Sequence, residues 1–358
     1  MSQLSKAAYE ELLDYLKTAD ESFLNPDKEL GPQTHIEGYL HTTHLLSCAM
    51  DFYINSDPDF PEFLLFATPV KKILGDNVDS IYKWTQLRGN RRYKISGRRT
   101  NQCYLGFTVY RGPVDGSWST ALGANVNHTH IDFAEDGSFE FILSPNPSGP
   151  NEYLLEEDAN GLITREYFFD RATAIPAELK IEVLDFDGRP QPITDEELAT
   201  RIKAAKTFMA ATYAMLPFPA TFLQNMLMPP FEFGANGQTN GWGTPDNVYA
   251  MGNYKLEDDE VLVISFQDHP CCYWGVQTWT PFMQSYDYRY YKVSVNNKQA
   301  QALEDGSYEI YVSKTEIDHP NYVGTAGNNE GMVFVRWLLA EGLPGMPGVS
   351  IKKASELF

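Results

Sequence analysis

The chain repeats itself. Residues 135–144 read EDGSFEFILS, and residues 304–313, 169 positions later, read EDGSYEIYVS. At that same spacing Cys103-Tyr104-Leu105-Gly106 meets Cys272-Tyr273-Trp274-Gly275, Ile95-Ser96 meets Ile264-Ser265, and NVNHTH at 125–130 meets SVNNKQ at 294–299. One residue later in register, Pro150-Asn151 meets Pro320-Asn321 and Gly161 meets Gly331. Chance gives one such match, not a collinear series, so the chain reads as a tandem duplication over roughly 75–185 and 245–342. Whatever one copy folds into, the other must fold into as well.

Each copy alternates apolar and polar residues in short runs broken by Gly, Pro, Asn and Asp, the pattern of antiparallel strands joined by turns. The expected fold is mainly β with added helices: two tandem, duplicated antiparallel β-sandwich or jelly-roll-like modules plus an N-terminal helical segment. Apolar spacing of three and four predicts helices over 4–24 and 35–53. Between the modules, Thr194-Asp195-Glu196-Glu197 has the form of a capping box, with Thr194 as N-cap. The helical run over 203–228 that follows should break at Pro217 and Pro219. The expected divisions are a helical segment at 1–70, a first β module at 75–190, connecting helices at 193–230 and a second β module at 245–345.

Charge narrows the partners. With 28 Lys and Arg against 48 Asp and Glu, the formal net charge is −20, which disfavours nucleic acid and anionic membrane surfaces. No apolar run is long enough to span a bilayer, and the first residues lack the apolar centre of a secretory signal. Cys48, Cys103, Cys271 and Cys272 form no C-x-x-C pair and read as reduced thiols. The expected location is the cytoplasm, with homo-oligomerisation left open.

Several strings resemble a known family. Asp76-Asn77-Val78-Asp79-Ser80-Ile81-Tyr82 looks like its N-D-x-x-Y motif, and Arg165-Glu166-Tyr167-Phe168-Phe169-Asp170 looks like the close of its first module. Tyr273-Trp274 through Gln284-Ser285-Tyr286-Asp287-Tyr288, then 318–327 and 331–337, resemble the C-terminal domain of unknown function 1214. The resemblance implies β-rich, jelly-roll-like domains and carries no activity, cofactor or catalytic residue with it. Where the family pattern has N-W-L-D-T-x-G, this chain has Asn321-Tyr322-Val323-Gly324-Thr325-Ala326-Gly327.

Three constellations carry candidate chemistry. His128, His130 and Asp132 alternate, so a strand would present them on one face. A three-residue 135–137 loop with Gly137 in the left-handed region pairs Ala134 with Ser138 and gathers Ile131, Phe133, Phe139, Phe141 and Leu143 on one apolar face. The alternative two-residue turn would bury the histidines instead. The favoured register sets Asp132 opposite Glu140, with His130 one step away. His128, His130, Asp132 and Glu140 are candidates for acid–base work, and His128, His130 and Asp132 for a divalent metal. Phe133 stands where a metallo-hydrolase pattern wants a further His. Glu37, His41 and His44 fall on one helix face, a second three-ligand candidate. The third is the aromatic run over 273–291, which includes Trp274, Gln277, Trp279, Asp287, Tyr288 and Arg289.

Related modules meeting along a pseudo-symmetry axis leave a concavity, and pockets favour such interfaces. The expected ligand site therefore lies between the modules, with Tyr82, Arg98 and Tyr104 from the first and Trp274, Gln277, Trp279, Tyr288 and Arg289 from the second. Arg98 is the expected anchor and Asp287 a candidate base. The chain has no nucleophile elbow, Walker loop or dinucleotide fingerprint, and its Gly-rich stretch at 234–243 lacks a Lys. No organic cofactor is expected. The functional expectation is a hydrolase, lyase or isomerase acting by acid–base chemistry, or through one metal, on a small, largely apolar substrate. The alternative is a non-catalytic ligand-binding or assembly protein.

Overall fold

The structure, a computed structural model, describes residues 3–234 and 241–357. Two helices open the chain, α1 (Leu4–Thr18) and α2 (Pro32–Ala49). The first module follows as β1 (Leu64–Ala67), β2 (Ser80–Gln86), β3 (Tyr93–Arg98), β4 (Tyr104–Arg111), β5 (Ala121–Asn127), β6 (Ser138–Ser144), β7 (Glu152–Leu154), β8 (Ala159–Tyr167) and β9 (Glu178–Val183). Helix α3 (Asp195–Met215) connects it to the second module. That module comprises β10 (Phe231–Glu232), β11 (Asn247–Lys255), β12 (Glu260–Gln267), β13 (Tyr273–Trp279), β14 (Ser294–Asn296), β15 (Ser307–Ser313), β16 (Tyr322–Gly324), β17 (Glu330–Leu338) and β18 (Gly348–Lys353).

The two modules share one topology. The order β1-β2-β8-β4-β5 in the first five-stranded sheet recurs as β10-β11-β17-β13-β14. The order β7-β6-β3-β9 in the first four-stranded sheet recurs as β16-β15-β12-β18. Phe139 and Tyr308 lie on the corresponding strands β6 and β15, and Gly137 and Gly306 both turn at positive φ, 83° and 82°. Each module is thus a two-sheet sandwich with its own core, around Phe107, Phe141 and Leu162 in the first and Ile264, Trp274 and Val335 in the second. The pairings are antiparallel apart from one short parallel pair in each four-stranded sheet, β6 with β7 and β15 with β16. Strand β1 begins inside the span read as helical, and β18 runs past the expected end at 345, because short edge strands carry little periodicity.

The expected hairpin register is present at the loop but not along the strand. Ala134 N donates to Ser138 O at 2.9 Å and Gly137 N to Ala134 O at 2.9 Å, closing the three-residue loop, and Ile131 is buried with Phe139 and Phe141. Residues 128–130, however, form a turn and 131–134 continue without regular structure, and β6 pairs with β3 instead, which sets Glu140 opposite Ser96 and not Asp132.

A third core lies outside both sandwiches. Helices α1, α2 and α3 cover the outer face of the first five-stranded sheet, where Phe52 stacks on Trp84 at 4.4 Å and Phe208, Met209 and Trp242 close the layer. Thr194 caps α3 as its spacing implies, accepting from Glu197 N at 3.1 Å, and the helix ends at Met215, just ahead of Pro217. Glu330, at the start of β17, takes Gly31 N and Thr34 Oγ1 at 2.7 Å each and so fastens the N-terminus of α2 to the second module.

Candidate functional site between the modules

The remaining outer surfaces of the two five-stranded sheets face each other, and the repeated Cys-Tyr-x-Gly string lies where they meet. Tyr104 at the start of β4 crosses to Asp246, just ahead of β11, and donates to its carboxylate at 2.7 Å. Tyr273 at the start of β13 crosses the other way to Asp79, just ahead of β2, at 2.8 Å. The last residue of each short strand completes the exchange: Asn127 donates to Asp246 and Asn296 to Asp79, both at 2.8 Å. Glycine is needed two residues after each tyrosine, because a Cβ at Gly106 or Gly275 would stand 2.1 or 2.4 Å from the Tyr104 or Tyr273 hydroxyl. Cys103 and Cys272 meet on the same axis, Cys272 Sγ reaching Cys103 O at 3.4 Å. The duplication therefore builds a reciprocal contact, as a two-fold dimer does within one chain.

The same symmetry governs two buried arginines. Arg165 on β8 lies between Tyr82 and Gly106 in the ladder, and Arg336 on β17 lies between Tyr249 and Gly275. Each guanidinium reaches the polypeptide of the opposite module. Arg165 donates to Trp242 O, Tyr110 Oη at 2.7 Å and Thr108 Oγ1 at 3.3 Å. Arg336 reaches Gly75 O and Tyr167 Oη, each only at 3.4 Å. Burial alone would raise the Tyr167 phenol, but Arg336, the Asn247 amide and Arg165 outweigh it and hold it below the ordinary tyrosine value.

Between these arginines lies a cavity of about 200 Å³. Its walls are mainly apolar, with Phe66, Ile163, Phe218, Trp279, Met283 and Phe334 among them, and Arg165, Arg336, Tyr82, Tyr167, Tyr249 and Asp76 supply the polar groups. Trp279 packs on Phe334 at 4.0 Å between ring centres and donates its Nε1–H to Asp76 O at 2.9 Å. Asp76 is buried, which raises its carboxyl, while Lys72 and Ser285 act the other way; Ser285 N donates to it at 2.9 Å.

The expected residues divide sharply. Tyr82 and Trp279 line the cavity. Tyr104 belongs to the module contact, and Gln277 to the strap before β2, where it accepts from Val78 N at 3.1 Å and donates to Asp76 O at 2.9 Å. Trp274 is core, packed on Phe266. Arg98 is not the anchor: β3 belongs to the outer sheet, and the side chain is exposed and paired with Glu178 at 2.6 Å. Asp287 and Arg289 pair with each other at 2.6 Å on the surface beside Tyr288, away from the cavity.

The metal candidates are not assembled. His130 and Asp132 are exposed, His130 Nδ1 accepts from Asn127 N at 3.1 Å, and His128 packs edge-on against Tyr104. Burial and the nearby Arg99 hold His128 down at about 4. Glu37, His41 and His44 do not converge either. His41 is buried against Phe282 and bonds Tyr213 Oη at 3.1 Å, whereas His44 meets Gln284 Nε2 at 2.8 Å. Among the described residues, no group of three His, Cys, Asp or Glu side chains comes together to hold a metal. Residues 235–240 of the Gly-rich stretch lie outside the described residues.

What the sequence reading missed is the arginine pair. Half of its signal was present, since Arg336 interrupts an apolar run in 331–338, whereas Arg165 stands between Thr164 and Glu166.

Across its whole length the chain is similar to the crystal structure of an uncharacterised protein from Burkholderia cenocepacia, with a TM-score of 0.91, 29% identity and 100% of both chains covered. The VPA0106 protein from Vibrio parahaemolyticus is similar in fold, with a TM-score of 0.52 and 12% identity over 88% of this chain and 98% of that one. No family model matches the chain, and no curated protein matches it. Among the described residues, no helix is long and apolar enough to cross a membrane.

Tyr167 makes a testable point of this chemistry. A tyrosine ionising below the usual value should appear as an absorbance step near 295 nm, and Tyr167→Phe should remove it. An unchanged titration in that variant would show that the two guanidinium groups do not act on this phenol.

Proposed function

We propose that this protein binds a small, largely apolar molecule in the cavity between its two modules. The carrying observation is the cavity itself: aromatic and aliphatic walls, contributed by both modules, with a few convergent polar groups, the usual anatomy of a ligand site. Its size is adequate, since a cavity of about 150 Å³ accommodates benzene. An acid–base enzyme is the second reading, and it moves from the histidines to Tyr167, which is the acidified group on the cavity wall. We place the chain with the domain of unknown function 1214 proteins, because the strings that carry that resemblance supply the strap at Asp76–Asp79 and the Tyr273 crossing. The four free cysteines support a cytoplasmic location.

Toluene is a sufficient probe. It should raise the melting temperature of the full chain and bind with measurable heat. Trp279→Ala, which removes a wall at a cost of about 3–5 kcal/mol, should weaken that binding at least tenfold. Ala67→Leu projects into the cavity from an edge strand and separates a lost site from a lost fold. Toluene binding unchanged in both variants would place the ligand elsewhere.

A further inference from the structure

We infer that the occupant of this cavity is a monoanion, a small hydrophobic carboxylate whose head sits on Arg336 and whose body lies against Trp279 and Phe334. This deepens the binding reading and rests on it. Two guanidinium groups and one carboxylate, Asp76, stand on the wall, so with Asp76 ionised and the Tyr167 phenol protonated the wall carries one excess positive charge inside a chain of net charge −20. Among the described residues, neither arginine makes an ion pair within the cavity. A buried charge without a counter-ion is costly, and a carboxylate that supplies paired acceptors removes that cost.

Asp76 does not fill this role. Its carboxylate is committed to Ser285, and the cation that acts most strongly on it is Lys72, ahead of Arg336. Lys72 in turn is anchored on Ser285 O and Tyr286 O at 2.8 and 2.6 Å.

The two arginines are not equally available. Arg165 is held by three acceptors, including Tyr110 at 2.7 Å. Arg336 has two contacts, both at 3.4 Å, which uses little of its five-donor fork. Its guanidinium carbon lies 5.3 Å from the Trp279 ring centre and 5.8 Å from that of Tyr249, so aromatic faces border the vacant donors. A purely structural role as a clamp on the opposite module accounts for Arg165 and leaves Arg336 under-used. The apolar walls select a planar monoanion with a hydrocarbon body over phosphate or sulfate, whose charge is surrounded by oxygen on all sides.

Benzoate, benzamide and toluene test this on the full chain by calorimetry. Benzoate should bind at least tenfold more tightly than benzamide. Arg336→Met should abolish that preference, while Arg336→Lys, which keeps the charge and loses the fork, should keep the preference at reduced affinity. The wild-type comparison decides even if Arg336→Met fails to fold. Toluene binding with benzoate no tighter than benzamide would overturn the anionic head and leave the cavity reading standing. Failure of all three probes would remove the cavity reading, and this inference with it.

Discussion

Asp79→Ala is expected to lower the unfolding free energy by about 2–4 kcal/mol, because it leaves Tyr273 and Asn296 without their shared acceptor in a buried contact, and each such group costs about 1–3 kcal/mol. Its symmetry mate Asp246→Ala orphans Tyr104, Asn125 and Asn127. Asp246 is only partly buried, so water replaces some of what is lost, and the effect should fall in the lower half of that range. Asp79→Asn should be milder than Asp79→Ala. Burial lifts the Asp79 carboxyl to about 6 even though Asn296 and Tyr273 pull it down, so its charge costs free energy while its acceptor oxygens stabilise. Asparagine keeps an acceptor and removes the charge. Denaturant melts of the three variants check the order. Equal losses for Asp79→Ala and Asp79→Asn would show that the charge, and not the acceptor, holds the modules together.

This pair of contacts also shows how far the amino-acid sequence could be read. The matching of Cys103-Tyr104-Leu105-Gly106 with Cys272-Tyr273-Trp274-Gly275 was visible as a repeat, and its spacing alone implied two copies of one sandwich. Its purpose was hidden, because a tyrosine crossing between modules leaves no periodicity, and the matched straps Asp79-Ser80-Ile81-Tyr82 and Asp246-Asn247-Val248-Tyr249 lie 167 positions apart, out of step with the 169 of the other matches. Arg98 was a reasonable choice on chemistry and wrong on topology: a strand's position in the inner or outer sheet is set by pairing, which alternation does not encode. Arg336 breaks an apolar run, but Arg165 stands between Thr164 and Glu166 and lies 171 positions before it, out of step with the 169 of the other matches, so the pairing shows only once the strands are aligned. The alternation of His128, His130 and Asp132 misled for a local reason. Asn127 Oδ1 accepts from Thr129 N at 2.9 Å and His130 N donates to Asn127 O at 2.8 Å, so the chain turns just where a strand was expected to continue.

His41 carries the largest expected dependence on pH. It is fully buried between α2, α3 and the 282 loop, and burial, reinforced by His44, drives its pKa down to about 3. Its folded value lies below the unfolded value near 6.5, so the unfolded chain takes up a proton that the folded chain refuses. Its contribution to stability is therefore complete above the unfolded value and shrinks as pH falls from there towards 3. Between pH 7 and pH 5 the loss should be about 2 kcal/mol. Glu37 and Asp79 run in the opposite direction. Burial, with Glu330 nearby, raises Glu37 to about 7, and Asp79 is raised to about 6, so both become easier to accommodate as protons arrive. The slope of the wild type alone thus understates His41, and the informative quantity is the difference between wild type and His41→Gln measured at both pH values. Glutamine is long enough to reach the Tyr213 hydroxyl, which His41 Nδ1 meets at 3.1 Å, and it does not titrate. The wild type should lose about 2 kcal/mol more than His41→Gln on going from pH 7 to pH 5. Parallel losses in the two proteins would mean that the imidazole is protonated in the folded state, and that the helical layer over the first sheet opens to water around it.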